Sequence, residues 1–232
     1  MNRRELLTTI AAAATLGARE EIIEAQNQAN AARQIKPLPF DPKKLNGLSE
    51  KLLQSHYDNN YTGAFRRLGQ IEQMLASLPK DAPGFQLKGL KMEELIATNS
   101  VILHEEYFGN LGGDGKAAGT LQQAITKQYG SFDKWESDFR ATSNALGGGS
   151  GWAILSFNFR DGRLNNYIAF DHTDNVAFGR PILVNDMFEH AYHMDFGARA
   201  AAYVDAFMQN VNWDELNRRY EEATKVYASL KK

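Results

Sequence analysis

From residue 49 onward the chain places an apolar side chain at every third or fourth position. The stretch SEKLLQSHYDNNYTGAFRRLGQIEQMLASL, residues 49 to 78, predicts a long amphipathic helix opened by Ser49 as its cap. The stretch LKGLKMEELIATNSVILHEEYFGNL, residues 87 to 111, predicts a second helix. Pro37, Pro39 and Pro42 break any helix before the first, and a polar, proline-containing segment at 79 to 86 separates the two. Neither helix can bury its apolar stripe alone, so an antiparallel hairpin is expected.

The pattern changes after GGDGKAAG, residues 112 to 119, where glycine density marks a domain boundary. TLQQAITKQYG and SFDKWESDFRATSNAL predict two further helices, the second capped by Ser131. Alternating residues on either side of Asp161-Gly162 predict a β-hairpin, and RPILVN, residues 180 to 185, a third strand. Residues 200 to 230 read as helix, turn and helix. The expected fold class is α+β, with an N-terminal antiparallel helical hairpin at 36–113. A C-terminal α/β domain at 114–232 holds a small three-stranded antiparallel sheet.

Composition narrows the chemistry. With 232 residues and 43% apolar content, the chain can bury a core in one or two domains. Twenty-six basic against twenty-eight acidic side chains give a net charge of −2, so no overall field favours nucleic acid or anionic lipid. No cysteine is present, which excludes disulfides, thiolate metal sites and cysteine nucleophiles. The first eighteen residues pair Arg3 and Arg4 with an apolar run and small residues, and predict a twin-arginine export signal. An Ala/Gln/Asn-rich connector continues to residue 35. A periplasmic location follows, or a cytoplasmic one if the signal does not act; the run is too short to remain as a membrane span.

Five histidines are the available soft-metal ligands. His56 and His104 lie in apolar stretches of the two long helices, where a buried imidazole needs a hydrogen bond or a metal. Asp186 and His190 stand four residues apart amid Ile182, Leu183, Val184 and Met187, a spacing that would place both on one helix face. A carboxylate in such surroundings is costly unless a cation or donor neutralises it. Three imidazoles and one carboxylate suit iron, manganese or zinc.

Several ordered landmarks carry a resemblance: LPF followed by LS, HYDNNY, LHEEYF, GSGW, DMFEHAYH and VNWDE. From about residue 36 the chain resembles the iron/manganese superoxide dismutases. The resemblance implies that His56, His104, Asp186 and His190 bind one Fe or Mn per chain, with water or hydroxide as a further ligand. It implies dismutation of superoxide to O2 and H2O2 by redox cycling of that ion. His172, in FDHTDN, falls where the family places the residue that hydrogen-bonds the solvent ligand. Tyr107, Phe108, Trp152 and Phe188 fall where aromatics line the metal. Glu189 matches the residue that reaches the ligand histidine across a family homodimer, so a dimer through Glu189 and His190 is implied.

Departures from the family pattern concern access. The family's gating His and Tyr are here Asn60 and Ala64, with Tyr61 as a nearby phenol and His193 in place of the tyrosine that pairs with the gate. The gateway arginine is displaced to Arg199, leaving Ala200 at its usual place. Tyr61, His172 and His193 are therefore the candidate catalytic residues around the ligands. The alternative reading is a non-dismutase Fe/Mn-binding protein or redox enzyme on the same fold.

Overall fold

Ser49 opens the first helix as expected, its hydroxyl accepting the N–H of Leu52. The computed structural model describes residues 34–174 and 177–231, so the expected leader and connector, through residue 33, lie outside the described residues. Helix α1, Glu50–Ser55, runs directly into a π-helical segment, His56–Tyr61, and then into α2, Thr62–Ala76. The interruption has a local cause. The Asn59 amide donates to the carbonyl of Ser55 at 2.9 Å and the Thr62 hydroxyl to that of Asp58, while the Thr62 N–H slips back five residues to Tyr57. Side chains have taken carbonyls that the ordinary ladder would use, and the turn widens.

Helix α3, Gly84–Gly109, packs along α2 as the expected hairpin and starts three residues earlier than the sequence pattern predicts. Its second half is the buried half, presenting Ala97, Val101, Leu103, His104, Tyr107 and Phe108 to the core. Helix α4, Gly119–Tyr129, and helix α5, Phe132–Asn144, follow, with Ser131 accepting the N–H of Lys134 at the start of the second.

Strands β1, Trp152–Asn158, β2, Leu164–Ala169, and β3, Gly179–Asp186, form one antiparallel sheet in the order β2-β1-β3. The hairpin turns at Gly162, which adopts φ 75° and lies so close to Tyr227 that an added Cβ would stand 2.6 Å from the ring. The alternation expected of β1 is absent, since all but its last residue are buried. Helices cover both faces: α3 and α8, Trp213–Leu230, pack on β3, while α5 packs on β1 and β2. Helices α6, His193–Phe196, and α7, Ala200–Gln209, complete the order. Residues 37–232 form one compact unit.

The register matters most at one end of the sheet. Trp152, the first residue of β1, pairs with Ala169 on one side and with Asp186, the last residue of β3, on the other. After Asp186 the backbone leaves the sheet through extended Phe188 and forms a single 3-10 turn, Glu189–Ala191. Asp186 and His190 therefore do not share a helix face. Strand pairing to Trp152 continues through Asp186 and holds that residue extended, so a strand end and a turn bring the two side chains together instead.

Candidate metal centre

Four side chains from four elements meet in the interior: His56 from the π-helical segment, His104 from α3, Asp186 from the end of β3 and His190 from the 3-10 turn. Their ligand atoms lie within 4.8 Å of one another. The Nε2 atoms of His56, His104 and His190 stand 3.0, 3.7 and 3.2 Å from the same carboxylate oxygen, Asp186 Oδ2. His56, His104 and Asp186 are buried and His190 is partly so.

Neighbouring groups fix how each side chain presents itself. Asp186 Oδ1 accepts the N–H of Phe188 at 2.9 Å, which holds the carboxylate with Oδ2 toward the imidazoles. His104 Nδ1 lies 2.6 Å from the carbonyl of Ser100. A carbonyl can only accept, so Nδ1 carries the proton and Nε2 keeps its lone pair. The Tyr203 hydroxyl donates to the backbone carbonyl of Asp186 at 2.8 Å and stands 3.2 Å from the hydroxyl of buried Tyr107.

The electrostatics favour neutral imidazoles at His56 and His104 beside an Asp186 anion. Burial pushes His56 below its ordinary value and His104 down to about 3. Burial would raise Asp186, yet the charge and hydrogen bond of His190, with His56 close beside it, outweigh that effect and hold the carboxyl well below the usual range. Burial also lowers His190, but the facing carboxylate wins and holds that imidazole above its ordinary value.

This donor set fits a transition-metal ion. His56 has neither ring nitrogen hydrogen-bonded, and His104 Nε2 has no hydrogen-bond partner. Buried polar atoms without partners cost about 1–3 kcal/mol each. One carboxylate oxygen cannot satisfy three converging nitrogens, whereas a cation can accept lone pairs from all four at bond lengths of about 2.0–2.2 Å.

Aromatic rings enclose the cluster. His56 packs 5.0 Å from both Tyr107 and Phe108, and the ring of Trp152 meets His104 edge-on at 5.2 Å. Phe188 is stacked between His190, at 5.5 Å, and His172, at 5.0 Å. His172 itself lies 6.3 Å from His104, ring to ring, and is partly buried. Its backbone carbonyl accepts the amide of Asn99 at 2.6 Å, which ties the loop to α3.

Other sequence-derived candidates lie farther out. Tyr61 is buried, but its hydroxyl turns to Glu105 Oε1, at 3.0 Å. His193 begins α6 and is exposed, as are Glu189 and Arg199. Asn60 and Ala64 line a cavity that reaches His172. Sequence reasoning missed Ser100 and Tyr203. The spacing of Ser100 from His104, one helical turn, was a usable signal; nothing in the run containing Tyr203 pointed to Asp186.

Comparison with known proteins identifies the family. Residues 117–219 match the family model for the C-terminal domain of iron/manganese superoxide dismutases. The Fe superoxide dismutase of Cupriavidus metallidurans is 54% identical over 193 residues, covering 83% of this chain and 98% of that protein. The Fe superoxide dismutase of Aquifex pyrophilus is 33% identical, covering 82% and 92%. The Mn superoxide dismutase 1 of Halobacterium salinarum is 30% identical, covering 84% and 98%. Likeness at these identities runs through nearly the full length of such relatives, and the chain belongs to the iron/manganese superoxide dismutase family.

Proposed function

We propose that His56, His104, Asp186 and His190 bind one iron or manganese ion, with which the chain converts superoxide to dioxygen and hydrogen peroxide. The observation that carries this reading is the aim of three imidazole Nε2 atoms at one carboxylate oxygen, with two of those nitrogens lacking a hydrogen bond. When bound, the ion supplies one-electron redox chemistry, by which two superoxide anions and two protons become O2 and H2O2.

The residues around it do the rest. Asp186 brings a fixed negative charge that offsets part of the cation's charge, and Ser100 locks His104 in the tautomer that ligates. Trp152, Tyr107, Phe108 and Phe188 keep bulk water from the ligands. His172 is the residue we assign to hydrogen bonding with the solvent that completes the site, because its Nδ1 accepts from Trp152 and its Nε2 therefore carries the proton. Tyr61, paired with Glu105, and His193, on the exposed side, are assigned to the surroundings of the access route. Stopped-flow measurement of superoxide decay, with protein loaded separately with iron and with manganese, tests the activity. Decay no faster than background with either bound metal would overturn it.

Exposed Glu189 beside His190 supports a homodimer in which the Glu189 carboxylate hydrogen-bonds His190 of the partner subunit. Sedimentation of the wild type as a dimer and of Glu189→Ala as a weaker one is the expected result. The paired Arg3 and Arg4 ahead of an apolar run support export by the twin-arginine route. Fractionation of the producing cell, comparing wild type with both arginines replaced by lysine, tests it.

A further inference from the structure

A cavity of about 340 Å³ opens between α2 and α3 and ends at His172. Its wall is chemically divided. Asn60 supplies an amide, Arg67 a guanidinium, and Ala64, Ile96 and Ala97 an apolar side. A water molecule occupies about 30 Å³ of liquid, so the space would hold roughly ten of them and is far larger than a diatomic anion needs. Arg67 is the one formally charged residue in this lining, and its Nη2 is paired with Glu93, which lies outside the lining. The remaining N–H groups of the guanidinium form a planar fork that matches a carboxylate.

We propose that this cavity is a binding site for a short-chain carboxylate of the size of acetate, with its charged end on Arg67 and Asn60 and its alkyl end against Ala64, Ile96 and Ala97. The carboxylate sits beside the metal-binding cluster and does not ligate the ion. It competes with Glu93 for Arg67, which gives the proposal an unusual signature: removing the two partners of one ion pair changes affinity in opposite directions. A merely structural disturbance of the pair would move both variants the same way.

The experiment uses the full-length, metal-loaded protein and trifluoroacetate as the probe, followed by fluorine NMR, with unlabelled acetate as competitor. Saturable binding that acetate displaces is expected. Arg67→Gln should weaken it by about ten-fold, the loss of one charge-assisted contact. Glu93→Gln should tighten it, and Ala64→Phe, which fills the cavity, should abolish it with metal content unchanged. The visible ligand-field spectrum of the bound metal should stay constant through the titration. Arg67→Gln and Glu93→Gln both lie on exposed side chains, so they report even if Ala64→Phe fails to fold. Unsaturable binding, equal affinity in wild type and Arg67→Gln, shifts of the same sign in the two charge variants, or a spectrum that changes with occupancy would each overturn the proposal.

Discussion

The indole N–H of Trp152 donates to Nδ1 of His172 at 3.0 Å, and this one bond decides which nitrogen of His172 bears the proton. An accepting Nδ1 leaves Nε2 as a donor, and burial lowers the imidazole's pKa, so the ring stays neutral and keeps that arrangement. Replacing Trp152 by Phe preserves an aromatic wall against His104 but frees the tautomer. Trp152→Phe is expected to retain metal, measured by elemental analysis, and to lose about 10–100-fold in superoxide turnover. Unchanged turnover would remove His172 from the proton-handling role assigned to it.

Asp186 is the one anion in the cluster, and all three imidazoles are arranged around its Oδ2. Asp186→Ala is expected to bring metal content to background while the chain still folds, because a neutral methyl leaves His56, His104 and His190 as a weaker and uncompensated set. Elemental analysis after purification, with circular dichroism as the control for folding, makes the measurement. One metal per chain in that variant would exclude Asp186 as a ligand.

Acid should destabilise the metal-free chain. His56 and His104 are pushed below the ordinary value of 6.5 by burial, His104 to about 3. As pH falls below 6.5, the unfolded chain takes up protons there that the folded chain refuses, so stability drops, with a limiting slope of about 1.4 kcal/mol per pH unit for a group that stays neutral in the folded chain. His190 works in the other direction. The Asp186 carboxylate holds it above 6.5, so its contribution is complete below 6.5 and is lost as pH rises through its folded value. Two groups outweigh one, and the melting temperature of the chelated protein is expected to fall between about pH 6.5 and about pH 5. Metal uptake requires His190 to give up its proton, so affinity should rise across the alkaline side of the same titration.

The sequence disclosed the long elements and the identity of the ligands more readily than the way the backbone presents them. Ser49 and Ser131 are visible as caps because capping is a local hydrogen bond to a residue three positions on. The π-helical segment at His56 is not, since it depends on Asn59 and Thr62 bonding to carbonyls that a regular helix would also offer. The spacing of Asp186 and His190 suits a helix equally well, and only pairing of β3 with Trp152, thirty-four positions earlier, keeps Asp186 in a strand. Tyr203 and Asn99 reach the site by tertiary contacts that no short pattern encodes. Asn60 and Ala64 were legible as departures; that they open onto one cavity with Arg67 required the packed helices.

Arg219 of α8 carries the remaining prediction, because it is a buried cation that joins the two elements holding His104 and Asp186. Its guanidinium donates to the carbonyl of Glu106 on α3, to the carbonyl of Ile182 on β3 and to the side chain of Asn110. It also pairs with Glu106 and Glu215, each at 2.8 Å. Gly109 gives it room, since a Cβ there would stand 2.4 Å from Nη2. Deleting one partner of such a buried pair typically costs about 3–5 kcal/mol; here the side chain of Asn110 and the carbonyls of Glu106 and Ile182 each lose a donor, while Glu106 keeps Arg180 and Glu215 keeps Arg218. At about 2–4 °C per kcal/mol for a chain of this size, Arg219→Ala should lower the melting temperature by roughly 10 °C. Arg219→Lys should rescue little, since an ammonium has three donors and cannot span α3, β3 and α8 together. Gly109→Ala should be destabilising too, although it removes no contact. If Arg219→Lys melted with the wild type, charge alone would explain the site, and the fork geometry would not be what sets the spacing of α3 from β3.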